Sequence, residues 1–195
     1  MKIAVLMLAT PNCTWAEFSA KNAESYCAKY GYDFIFKTEL LDPTVSAYWN
    51  KILWLAKILP DYDAVYQMDA DTSFTGHHPL DGFVTDGVAS SEMNGICTFG
   101  NTMFASTLQV QQFLDNLISS TNADETTKDG PIVHAALNKS GAPSVFLYPR
   151  HILCAFLFYY CGHRCSNVND ETVAIHWPRH LRKENWTDLM KELSN

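Results

Sequence analysis

Hydrophobic and polar positions alternate on two different periods along this chain. Lys2–Leu8 is apolar almost without interruption, which predicts a strand buried on both faces. Trp15–Tyr30 mixes apolar and charged positions at helical spacing and ends on Gly31, the residue favoured just beyond a helix C-terminus. Tyr32–Lys37 then reads as a strand and Tyr48–Leu59 as a helix stopped by Pro60-Asp61. The apolar Tyr62–Tyr66 stretch opens a further strand that runs into Gln67-Met68-Asp69-Ala70-Asp71-Thr72. Beyond it, Asp81–Asp86 reads as a loop or short helix, and Val88–Ser91 and Ile96–Ala105 as strands. Leu108–Ser119 reads as a helix, Asn122–Gly130 as a polar loop, and Pro131–Lys139 as another helix. Ser144–Tyr148 and Thr172–His176 read as late strands, and Trp186–Leu193 as a terminal helix. Strands and helices in alternation predict one α/β domain over residues 1–195, with a mostly parallel central sheet flanked by helices.

Composition narrows the function classes. With 195 residues, of which 47% are hydrophobic and 13% aromatic, the chain is long and apolar enough for a substantial core, and disorder is excluded. The formal charge is −7 and the only basic run is Arg179–Lys183, which argues against nucleic acid as a partner. The N-terminal apolar run is short and meets Pro11-Asn12, so it reads as a first strand rather than a secretory signal. Ile152–Cys161 is too short to span a bilayer. These features point to a cytoplasmic protein with reduced thiols. Among the six cysteines, Cys154, Cys161 and Cys165 with His151 leave structural zinc, a disulfide and plain thiols as alternatives, plain thiols being favoured because the spacing fits no familiar zinc pattern.

Candidate chemistry concentrates at Asp69 and Asp71. Acids spaced i, i+2 lie on the same face of a strand, and both can reach one small centre where the strand ends and the chain turns. Two carboxylates beside phosphate oxygens form a hard-oxygen site suited to Mn²⁺ or Mg²⁺. The strand context favours this over a merely solvated strand end. A haloacid-dehalogenase-type phosphatase also places an Asp pair here, but Ser73 stands where that pattern requires Thr, and the later aspartates Asp115, Asp124, Asp129, Asp170 and Asp188 form no adjacent or closely spaced pair. The chain contains neither a Walker loop nor a Gly-x-Gly-x-x-Gly turn. At the other end, Val173–Ile175 leads into His176-Trp177-Pro178 and would bring an imidazole to a sheet edge, as a third metal ligand. In the basic cluster that follows, Lys183, with Trp186 three residues on, is the cation best suited to meet a diphosphate.

With these pieces in place, the chain resembles metal-dependent glycosyltransferases of the GT-A fold. It is most similar to the retaining galactosyl- and mannosyltransferase family and to small transferase domains of large algal viruses. The segment Asn22-Ala23-Glu24-Ser25-Tyr26 through Gly31-Tyr32-Asp33, the Trp49-Asn50-Lys51-Ile52 block, and Tyr62–Asp71 carry the likeness in order over the first 75 residues. Phe99-Gly100-Asn101, Asp129-Gly130 and Ile175-His176-Trp177 extend it more loosely, Gly130 standing where the family often has Gln. The resemblance implies transfer of a hexose from a UDP- or GDP-sugar to a glycan or glycoprotein hydroxyl, with Mn²⁺ (or Mg²⁺) as cofactor. It implies Asp69, Asp71 and His176 as metal ligands, Asp69 also reaching the ribose. Leu8, Ala9 and Thr10 would meet the base, Lys51 and Asn101 the donor or neighbouring acids, and Trp177 and Lys183 the donor. Asp129 would stand near the reacting sugar carbon. Retention is the implied outcome; an inverting enzyme would use Glu92 or Asp129 as base. A nucleotidyl- or phosphotransfer enzyme, and a non-catalytic nucleotide- or carbohydrate-binding module, are the competing readings.

Overall fold

The computed structural model describes residues 1–93, 96–153, 155–160, 163–166 and 170–176. In chain order the elements are β1 (Ile3–Leu8), α1 (Ala16–Tyr30), β2 (Asp33–Lys37), α2 (Ala47–Ile58), β3 (Ala64–Met68), β4 (Thr72–Phe74), β5 (Val88–Met93) and β6 (Ile96–Ala105). They continue with α3 (Leu108–Ser120), α4 (Asp129–Leu137), β7 (Val145–Tyr148), α5 (Arg150–Leu153), β8 (Ala155–Tyr160), β9 (His163–Ser166) and β10 (Ala174–His176). Short 3₁₀ turns occupy Leu59–Asp61 and Asp81–Phe83.

Six strands form the main sheet in the order β2-β1-β3-β6-β5-β7. The pairings β1–β2, β1–β3 and β5–β7 are parallel, and β3–β6 and β5–β6 are antiparallel. The unbroken hydrophobicity of β1 follows from its central place. Ala4, Leu6 and Leu8 pack with α2, α3 and α4 on one face, and Ile3, Val5 and Met7 pack with α1 on the other. Burying each of the larger side chains contributes roughly 1.5–3 kcal/mol, so both layers are anchored on this strand. Helix α1 ends where expected: Gly31 adopts φ 76°, a left-handed conformation open to glycine, and its N–H donates to Cys27 O at 2.8 Å. Ser46 caps α2 by accepting from Trp49 N at 3.0 Å, which fixes where Lys51 falls on the following turn.

A second sheet, in the order β4-β10-β8-β9, was not anticipated from the sequence. β4 has three residues and pairs antiparallel with β10, with His176 opposite Thr72. Its outer edge is completed by a side chain. Asn22 on α1 accepts from Phe74 N at 2.6 Å and donates to Phe74 O at 3.0 Å, acting as a surrogate neighbouring strand. Tyr26, one turn further along α1, stacks on the Phe74 ring with centroids 3.9 Å apart. Helix α4 begins two residues before the expected Pro131, because a proline in the first helical turn lacks only an N–H that would have no intrahelical partner. Among the described residues, no helix is long and apolar enough to cross a membrane. The expected helix Trp186–Leu193 lies outside the described residues.

Candidate metal and donor site

β3 ends at Met68, and Thr72 N donates to Asp69 O at 3.1 Å, closing a tight turn into β4. This turn brings the two acids together. β10 pairs alongside β4 and delivers His176 one residue from Asp71. One ligand atom from each of Asp69, Asp71 and His176 lies within 4.8 Å of the others. His176 Nε2 stands 3.1 Å from Asp71 Oδ1 and 3.7 Å from Asp69 Oδ2. Two carboxylate oxygens and an imidazole nitrogen make a donor set that fits Mn²⁺ well, and Mg²⁺ where further oxygens come from substrate and water.

Lys51 lies behind this group, 8% exposed in its side chain, with its ammonium 2.6 Å from Asp69 Oδ1 and 2.8 Å from Asp129 Oδ2. Burial alone would lower the Lys51 pKa, but the carboxylates of Asp129 and Asp69 together outweigh it and hold the lysine charged well above its ordinary range. Asp69 is raised, chiefly by burial and further by Asp71 and Asp129, against the opposing pull of Lys51 and His176. His176 is also raised: burial works against its charged form, and the hydrogen bond and charge of Asp71, with Asp69 behind, overcome that penalty. The same two acids that would meet a cation here favour the charged form of His176.

A cleft of about 540 Å³ opens over the group, lined by Leu8, Thr10, Trp15, Tyr48, Lys51, Asp69, Asp71 and His176 among others. It lies at the carboxyl end of β1 and β3, the ligand-facing edge of an open α/β sheet. Ala9 lines a neighbouring cleft of about 550 Å³ that shares Thr10 and Cys13 with the first. Its N–H is already committed to Lys37 O at 3.0 Å, and Thr10 O accepts from Cys13 N at 2.9 Å.

Asn101 is fully buried and accepts from Thr72 Oγ1 at 2.9 Å, so it supports the acid turn from beneath instead of lining the cleft. Asp129 opens α4, is 7% exposed, and accepts from Gly130 N at 2.8 Å as well as meeting Lys51. Trp177 and Lys183 lie outside the described residues, as do the side chains of Glu92, His151, Cys154, Cys161 and Cys165. Cys13 and Cys27 are free thiols.

Sequence reasoning gave Asn22, Tyr26 and Gly100 no role beyond their place in the resemblance. The first two hold β4, while Gly100 faces Asp69 so closely that a side-chain carbon there would overlap the carboxylate. The signal for Gly100 was an isolated glycine inside a strand pattern, which marks close approach.

No family model matches the chain, and no curated protein matches it by sequence. Solved structures match in shape. A glycosyltransferase involved in glycosylation of the major capsid of PBCV-1 superposes with a TM-score of 0.67 over 99% of this chain and 98% of that one, at 12% identity. Drosophila beta-1,4-galactosyltransferase 7, solved with manganese, UDP-Gal and xylobiose, gives 0.56 over 98% of this chain and 80% of that one, at 11% identity. The bifunctional glycosyltransferase WbbM gives 0.57 over the whole of this chain and 50% of its own, at 12% identity. At such identities the likeness is one of fold: the chain has the GT-A architecture that the sequence resemblance implied.

Proposed function

We propose that this chain is a glycosyltransferase that moves a hexose from a UDP- or GDP-sugar to a hydroxyl of a glycan or glycoprotein. The observation that carries the reading is the convergence of Asp69, Asp71 and His176 at the floor of a cleft at the strand ends. Mn²⁺ (or Mg²⁺), when held by these three residues, would neutralise the charge that develops on the departing diphosphate. Asp71 is the principal carboxylate ligand, and His176 contributes Nε2 in its neutral form. Asp69, its Oδ1 held by Lys51, keeps Oδ2 for the ion or the donor ribose.

Leu8, Ala9 and Thr10 border the space for the base, and Asn101 fixes the turn beneath it. Asp129 holds a hydroxyl of the transferred sugar near the reacting carbon, oriented by Lys51. Trp177 packs against the donor, and Lys183 meets the diphosphate. Retention is the favoured stereochemistry, the leaving phosphate oxygen accepting the proton of the acceptor hydroxyl. A cytoplasmic setting fits the free thiols of Cys13 and Cys27.

The test is a panel of nucleotide sugars with and without manganese. One donor should release its nucleoside diphosphate only with the metal, the transferred sugar should keep its anomeric configuration by NMR, and Asp71→Ala should abolish turnover. Release of pyrophosphate from UTP or GTP, with no diphosphate from any sugar donor, would instead identify a nucleotidyltransferase. Retention of glycan binding by Asp71→Ala with no turnover by either protein would identify a binding module.

A further inference from the structure

Gly100 occupies the position on β6 directly across from Asp69. The antiparallel register pairs Val65 with Phe104 and Met68 with Asn101, and the next step along brings Asp69 opposite Gly100. Side chains of such cross-strand partners lie on the same face and compete for the same space. Here one partner has no side chain, and the Asp69 carboxylate has folded into the room left free. A Cβ on Gly100 would overlap Asp69 Oδ2 and stand 2.7 Å from Asp69 Cγ, with Oδ1 at 3.3 Å. Gly100 does not occupy the left-handed φ region, so its backbone makes no demand for glycine. The carboxylate makes that demand.

We propose that Gly100 is a positioning residue for the cation site, one jaw of a clamp whose other jaw is Lys51. The ammonium fixes Oδ1 at 2.6 Å, and the bare Cα of Gly100 leaves the space in which Oδ2 turns toward His176, 3.7 Å away. Any side chain at position 100 forces the carboxylate to rotate. It then gives up either its bond to Lys51 or its place beside Asp71 and His176. Because Asp69 shares one small volume with Asp71 and His176, this displacement lowers cation affinity while all three ligand residues remain. The proposal rests on the cation-site reading above.

The test is Mn²⁺ binding to the protein without donor, read by the EPR signal of free manganese, in four proteins: wild type, Gly100→Ala, Asp69→Ala, and Asp69→Ala/Gly100→Ala, with Asp71→Ala as control. Gly100→Ala should weaken binding at least tenfold. In the Asp69→Ala background, where no carboxylate remains to be displaced, the same substitution should change binding by less than twofold. That non-additivity distinguishes positioning from a general structural role. A tenfold loss that persists without the Asp69 carboxylate, or no loss in the wild-type background while Asp71→Ala abolishes binding, overturns the role of Gly100 alone. Wild-type binding by Asp71→Ala overturns the cation reading and this proposal with it. If Gly100→Ala does not fold, circular dichroism of the double variant decides. Folding restored by removing the carboxylate supports the clamp, and no restoration overturns it.

Discussion

The two sides of the acid turn are neutralised differently. On the Asp69 side, a permanently charged lysine is buried between two carboxylates, an arrangement complete within the chain. On the Asp71 side, the His176 imidazole stands 3.1 Å away among the described residues, its pKa raised against the penalty of burial by the hydrogen bond and charge of Asp71. Among the described residues, three carboxylates against one ammonium leave two negative charges when His176 is neutral. A divalent ion matches that remainder. On the proposed reading, Lys51 holds the first side in place and the second side receives the cation.

The sharpest way to break this comparison is to remove one charge from each side. Asp71→Asn should lower turnover by roughly a thousandfold, as expected when electrostatic stabilisation of several kcal/mol is lost. Without metal, and at a pH where His176 is neutral, the same protein should melt no lower than wild type, since in wild type Asp71 then faces Asp69 as a repulsive carboxylate; assays of turnover and calorimetry together check this. Lys51→Met should do the reverse in the fold, leaving Asp69 and Asp129 buried without a cation and costing about 3–5 kcal/mol in a denaturant titration. An Asp71→Asn protein that melts far below wild type would erase the distinction between the two sides.

A smaller effect concerns how the second side is held. Asn22→Ala removes both hydrogen bonds to the Phe74 backbone and should destabilise the protein by about 2 kcal/mol in urea. Manganese affinity should weaken with it, because β4 frames Asp71 and pairs with the strand carrying His176. The mildest test is pH. The His176 pKa is raised in the fold, so its contribution to stability is fully present below the ordinary value of 6.5 and is lost as pH rises through the raised value. The difference in melting temperature between wild type and His176→Gln, measured without metal, should therefore shrink across that interval. With manganese present the trend should reverse, since the ion requires the neutral imidazole.

The first half of the fold was legible because its signals are local. The unbroken apolar β1, the Gly31 stop after α1 and the Pro60 stop after α2 all report geometry settled within a few residues. β4 was not legible for the opposite reason. Its three residues carry no periodicity, and its partners are a strand about a hundred residues later and a side chain fifty residues earlier. The candidate ligands could be named as residue types at a strand end, and Lys51 and Asp129 through resemblance. That Lys51 joins Asp69 to Asp129, and that Gly100 makes room for Asp69, depends on contacts between segments that share no local pattern.

The central claim is that Asp71 and His176 close on one divalent cation beneath a nucleotide diphosphate. Anomalous diffraction at the manganese edge, from crystals grown with manganese and UDP or GDP, tests it directly. The account predicts a single strong peak about 2.1–2.2 Å from an Asp71 carboxylate oxygen and from His176 Nε2, with diphosphate oxygens completing the shell. A peak bound elsewhere, or nucleotide seated in the cleft with no metal between it and these two residues, would contradict it.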